Sequence, residues 1–146
     1  MKEIILSISE VINYEIDGYY SCYDGFKIQT NQQEIYLLIS NYQDCCESFG
    51  YFVCDDDYCK FIDSEIISVS TVATDLNKSI VLSKLNEKLG WQADNINDHL
   101  DCGGVMFVEI MTNIGPFQFA AYNSHNGYYG HNALIVSKDL NHEVVL

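Results

Sequence analysis

Apolar and polar residues alternate with a period of two along most of this chain, the mark of half-buried β-strands. Lys2 to Ser9 and Val11 to Ile16 read as strands, Asp17-Gly18 as a turn leading to Tyr19-Tyr20-Ser21-Cys22, and Asp24-Gly25 as a second turn. Phe26 to Thr30 alternates, Asn31-Gln32-Gln33 closes a loop, and Glu34 to Ser40 returns with Ile35, Leu37 and Ile39 on one face, which predicts a hairpin. Gly50 to Cys54 is a further strand, as is Glu65 to Thr71 with Ile67, Val69 and Thr71 on one face and Ile66, Ser68 and Ser70 on the other. A second hairpin runs from Val105 to Thr112, through Asn113-Ile114-Gly115, and back from Pro116 to Tyr122. The lone proline stands at a strand start, where its missing donor does least harm. Ala133 to Ser137 is expected as the last strand, followed by a short exposed tail.

A helical period is clear once, between Asn77 and Leu89, where Val81, Leu85 and Leu89 recur every four residues and Gly90 supplies the stop. From Trp91 to Gly104 the chain is polar and acidic, and reads as a short second helix carried by Ile96 and Leu100 or as a structured loop. No repeat or linker divides the chain. The pattern predicts a single domain over residues 1–146, α+β and rich in strand: a mainly antiparallel β-sheet or sandwich with one packed helix.

With 146 residues, 48% of them apolar, the chain is long enough to bury a core. Seven lysines and no arginine face 21 acids, a net charge of −14. Phosphate recognition depends on clustered cations, so direct nucleic-acid binding is not expected, and a charged partner should be basic. There is no apolar run of 18 residues, and the N-terminal apolar stretch is too short for a signal peptide, which predicts a cytoplasmic protein with no membrane contact. In that compartment thiols stay reduced, so Cys22, Cys45, Cys46, Cys54, Cys59 and Cys102 read as small hydrophobes rather than a disulfide framework. Their spacings also miss the paired C-x-x-C of a structural zinc site, and Asp55-Asp56-Asp57 lacks the oxygen ladder of a calcium loop. Neither a metal nor another cofactor is expected.

Two segments concentrate unusual chemistry. Asp44-Cys45-Cys46-Glu47-Ser48-Phe49-Gly50-Tyr51 enters a strand, and His125-Asn126-Gly127-Tyr128-Tyr129-Gly130-His131 follows one. The second combines two glycine hinges with two aromatics, an amide and two imidazoles, which suits either a demanding turn or a loop offered to a ligand. Asp44 to Ser48, the later Asp-rich segment and Asn123 to His131 resemble the signature segments of an uncharacterised domain-of-unknown-function family of small phage and prophage proteins from firmicutes. That resemblance implies a mobile-element origin and the cytoplasm of an infected bacterial cell, and carries no activity.

The thiols of Cys45 or Cys46 could meet the imidazoles of His125 or His131, but nothing in the spacing specifies such a pair, and a non-enzymatic protein is expected. The expected function is that of a phage accessory protein, acting in counter-defence, that binds and blocks a basic, nucleic-acid-binding host protein. Its surface would imitate nucleic acid through Asp55, Asp56 and Asp57, with Asp94, Asp98 and Asp101 as a second cluster. The alternative is a small-molecule binding module that sequesters a nucleotide signal, with Cys45, Cys46, Glu47, His125, Asn126, Tyr128, Tyr129 and His131 as its walls.

Overall fold

The computed structural model describes residues 1–19, 21–42, 47–71, 78–90, 103–125 and 130–146. Its strands are β1 (Ile5–Glu15), β2 (Cys22–Thr30), β3 (Glu34–Ser40), β4 (Glu47–Val53), β5 (Ile66–Ser70), β6 (Gly103–Thr112), β7 (Gly115–His125), β8 (Asn132–Val136) and β9 (Asn141–Val145). A 3-10 turn spans Tyr58–Phe61, and one helix, α1 (Lys78–Leu89), completes the described elements. The strands form two antiparallel sheets, one ordered β1-β2-β3-β8-β9 and the other β4-β7-β6-β5. This is the strand-rich α+β architecture that the alternation predicts.

The alternating residues explain why the sheets stack. Ile8, Phe26, Ile28, Ile35, Leu37 and Ile39 of the first sheet meet Met106, Val108, Ile110, Phe117, Phe119 and Ala121 of the second in one buried core. Helix α1 lies on the opposite face of the second sheet, with Leu85 fully buried and Leu89 packed against Phe52, Ala120, Tyr122 and Phe107. Gly90 ends it in a left-handed conformation, its N–H donating to the Asn86 carbonyl at 3.0 Å. One flank of the sandwich is stitched shut: Ile4 bridges Glu65, Ile5 N–H donates to the Ser64 carbonyl (3.0 Å), and Ile66 N–H to that of Glu3 (2.8 Å).

Four expectations need correction. The first two strands are one, β1, whose register slips between Val11 and Tyr14, with Asn13 left-handed at φ 52°; this bulge bends the strand while keeping it paired to β2. Asp24-Gly25 is not a turn but lies within β2. A Cβ at Gly25 would stand 1.9 Å from the Leu37 carbonyl oxygen, so glycine serves a close approach of neighbouring backbones there. In β5 a register shift between Ile66 and Ser68 turns both Ile66 and Val69 toward the core and leaves Ile67 63% exposed, against the simple two-face reading. The tail beyond Ser137 is not a loose end: after a turn closed by Ser137 N–H to the Leu140 carbonyl (3.1 Å), β9 pairs with β8 and Leu146 is buried.

Candidate functional site

Strand β4 is an outer strand of its sheet. It bonds to β7 along one edge, and among the described residues no backbone hydrogen bond reaches its other edge. A cleft of about 510 Å³ lies over that edge, lined by Glu10, Asp24, Ser48, Phe49, Gly50, Tyr51, Lys88 and Tyr122. A second cleft, of about 270 Å³, continues along the strand past Phe52 and Val53 to Tyr58, Asp56, Lys84 and Glu87, and shares Glu10, Tyr51 and Lys88 with the first. The two form a groove that follows β4 from Ser48 to Val53.

Each wall of the groove follows from strand parity. Glu10 sits opposite Phe26 in the β1–β2 ladder, on the core-facing side, at the point where the sandwich opens. Tyr51 points inward from β4, its ring stacked on Phe119 (6.2 Å between centroids) and edge-on to Phe26, and its hydroxyl emerges to donate to Glu10 Oε2. Burial, reinforced by that carboxylate, holds the Tyr51 phenol far above its ordinary pKa, so it stays a neutral donor. Asp24 is fixed by two donors at 3.0 Å, the Asn13 backbone N–H and Asn41 Nδ2, both converging on its Oδ1. The left-handed Asn13 therefore serves the site as well as the bulge.

Beneath the groove, Tyr122 comes from β7 opposite Gly50 and is 4% exposed. Its hydroxyl lies where a side chain at Gly50 would begin, 2.7 Å from an ideal Cβ there, and no described residue hydrogen-bonds to it. Burial alone pushes its pKa up to about 12. Glycine at position 50 thus leaves room for a buried phenol to reach the lined cleft. Across the whole groove the carboxylates Glu10, Asp24, Asp56 and Glu87 stand against two lysines, Lys84 and Lys88, so the lining favours cations.

The Asp55-Asp56-Asp57 run caps the far end of β4 and lines a separate cleft of about 700 Å³ with Lys60, Ile114, Pro116 and Gln118. Asp55 pairs with Lys60, whose ammonium lowers the carboxyl's pKa, and its Oδ1 also accepts the Asp57 N–H at 3.0 Å. Asp56 pairs with Lys84 of α1. Asp57 is exposed and has no side-chain partner among the described residues. Asp94, Asp98 and Asp101 lie outside the described residues, so the structure does not relate the two acidic clusters.

The two motif segments do come together at their strand ends. Glu47 pairs with His125 and Phe49 with Asn123 in the β4–β7 ladder. Cys45, Cys46, Asn126, Tyr128 and Tyr129 lie outside the described residues, and of Glu47 and His125 the backbone is described. His131 is 2% exposed and fully engaged: its ring stacks on Phe49 at 4.0 Å, and Nδ1–H donates to the Ser40 carbonyl at 2.6 Å, which places the proton on Nδ1. Its backbone exchanges two hydrogen bonds with Leu146, whose carbonyl also accepts from Asn123 Nδ2 at 3.1 Å. His131 therefore locks β8 and β9 onto the ends of β3 and β4 and is not presented to a ligand.

Cys22, Cys54 and Cys59 carry free thiols, the Cys54 thiol pushed up in pKa by burial. Among the described residues no group of three His, Cys, Asp or Glu side chains could hold a metal ion, and no helix is long and apolar enough to cross a membrane. The groove residues Glu10, Asp24, Tyr51 and Tyr122 were not expected as site residues. The signal that could have found them is Gly50, an isolated glycine between two aromatics in a strand, a position that marks close approach.

Comparison with known proteins gives one kind of match. A family model described as a domain of unknown function (DUF7448) matches residues 3–135. No curated protein and no solved structure matches the chain.

Proposed function

The chain belongs to this domain family of unknown function, and from that premise we propose that it is a non-enzymatic binding protein that captures a basic partner through its acidic surface. The observation that carries the reading is where its few cations go. Four of the seven lysines, Lys2, Lys27, Lys60 and Lys84, are paired with the protein's own carboxylates Glu65, Glu34, Asp55 and Asp56, so the many remaining acids dominate the field reaching solvent. A rigid sandwich that holds carboxylates along its surface suits a nucleic-acid-binding protein, whose cationic face it would occupy. The sequence resemblance to phage and prophage proteins makes a counter-defence role, in the cytoplasm of an infected bacterial cell, the natural setting.

The test uses a basic nucleic-acid-binding protein recovered on the immobilised chain from bacterial lysate. Its binding should weaken steeply with added salt and be displaced by duplex DNA competing for the same face. Capture that ignores both salt and DNA would overturn the reading.

The adjacency of Glu47 and His125 favours one second reading, a small-molecule module walled by the two motif segments. It predicts that Tyr128→Ala with Tyr129→Ala abolishes retention of a co-purifying ligand while Asp55→Asn, Asp56→Asn and Asp57→Asn leave it intact. The burial of His131 removes one imidazole from that wall, which is why the acidic surface is preferred.

A further inference from the structure

The outer edge of β4, unpaired among the described residues, carries more information than its charge. An outer strand with unpaired N–H and C=O groups is a template for another strand, and native proteins usually blunt such edges with a bulge, a proline or a cover. Here β4 pairs with β7 without a register shift from Glu47 to Val53, has no proline, and lies at the bottom of a groove among the described residues. The groove has two unlike flanks, Glu10 and Asp24 from the first sheet and the α1 surface with Lys84, Glu87 and Lys88. The hydroxyl of the largely buried Tyr122, to which no described residue hydrogen-bonds, reaches it over Gly50.

We infer that β4 docks an extended basic segment of the partner as an added strand of the β4-β7-β6-β5 sheet. This rests on the reading that the partner is basic and adds how it is held. Main-chain hydrogen bonds to β4 would supply affinity, and the two-residue period of a strand would supply specificity. Side chains on one face of the incoming strand, lysine or arginine, meet Glu10 and Asp24 and lie against the Tyr51 ring, where a cation is also favoured by the aromatic face. Those on the other face lie over Gly50, where a hydrogen-bond acceptor would satisfy Tyr122.

The experiment uses a terminally blocked decapeptide of alternating lysine and valine, with an alternating glutamate–valine peptide as control, in calorimetric titrations against the full chain. Two further lysine–valine peptides are N-methylated, one at the lysines and one at the valines, so that each lacks the donors of one strand edge. The parent peptide should bind, and one methylated version should weaken by tenfold or more as its two or three main-chain bonds are lost, while the other binds like the parent. Glu10→Gln with Asp24→Asn should weaken binding by roughly threefold to tenfold, since each is a partly exposed pair. Amide exchange should slow between Ser48 and Val53.

No binding by the parent peptide, or equal binding by both methylated versions without protection of Ser48 to Val53, overturns strand docking. In the second case, if the parent remains salt-sensitive and the glutamate peptide stays unbound, the acidic-surface reading survives alone. Equal binding of the glutamate peptide would sink both.

Discussion

Two polar clusters lie against β4, one closed and one open. At the strand's start, His131 is sealed between Phe49, the Ser40 carbonyl and the Leu146 backbone. Halfway along, Glu10, Asp24, Tyr51 and Tyr122 meet at a cleft where, among the described residues, a phenol lacks a partner and a strand edge lacks a neighbour. The residue types are similar, aromatics with ionisable or amide groups, and the difference lies in whether their hydrogen bonds are completed within the chain. A completed set stabilises the fold; an incomplete one leaves interactions for a partner to make.

The sharpest way to break this contrast is His131→Ala. It removes the stacking on Phe49 and leaves the Ser40 carbonyl without its buried donor, so a loss of about 3–4 kcal/mol is expected in urea denaturation. A loss under about 1 kcal/mol would show that the cluster is not the lock described. Lysine–valine peptide binding by the folded fraction should be unchanged.

Alkaline pH probes the open cluster. Tyr122 titrates near 12 when folded and near 10 when unfolded, so its neutral form contributes stability that is whole below pH 10 and lost as pH rises through 12. The loss amounts to about 2–3 kcal/mol. Tyr122→Phe should be within about 1 kcal/mol of wild type at pH 7, because no internal hydrogen bond is lost, and should unfold less steeply between pH 10 and 12. An unchanged alkaline limb would count against the unpartnered phenol.

Gly50→Ala tests the same spot sterically. Its methyl group would collide with the Tyr122 hydroxyl, at an expected cost of roughly 1–3 kcal/mol, and would fill the cleft floor. In combination with Tyr122→Phe that cost should fall, which double-mutant denaturation curves can measure.

The smallest effect belongs to the aspartate run. Asp55→Asn, Asp56→Asn and Asp57→Asn together should change stability by less than about 1 kcal/mol, because the Lys60–Asp55 pair is partly exposed and Asp56 faces solvent even though Lys84 is largely covered. Asp55, with its lowered pKa, contributes stability present above the ordinary carboxylate range and lost on acidification, so the triple variant should flatten only that acid limb. The same variant should weaken partner capture and its salt dependence, chiefly through Asp57, which has no lysine partner among the described residues.

Much of the fold was legible because its signals are local. The β2–β3 and β6–β7 hairpins alternate cleanly around polar or glycine-bearing loops, and α1 ends at the glycine its period required. What was missed depends on distant contacts. Asp24-Gly25 has the chemistry of a turn, but the glycine answers the Leu37 backbone; β9 has just two adjacent apolar residues, Val144 and Val145, and becomes a strand because β8 offers it an edge. The groove was hidden for the same reason, since positions 10, 24, 51 and 122 share no motif and meet through sheet stacking. The acidic run was visible, but its lysine partners were not, Lys84 being brought in by a helix 28 residues away.

The pairing of β3 with β8, which sets Leu37 against Ile135 and Ile39 against Ala133, also has a consequence for biosynthesis. On the ribosome, Leu37, Leu38 and Ile39 emerge with one edge unpaired and must wait until the chain from Asn41 to His131 has been made. At roughly 5–20 residues per second that wait is on the order of ten seconds, long against the microseconds in which a hairpin closes. The nascent β1-β2-β3 unit is thus an incomplete sheet with an apolar seam for most of translation. That interval, rather than the finished molecule, is where a chaperone would find its hold.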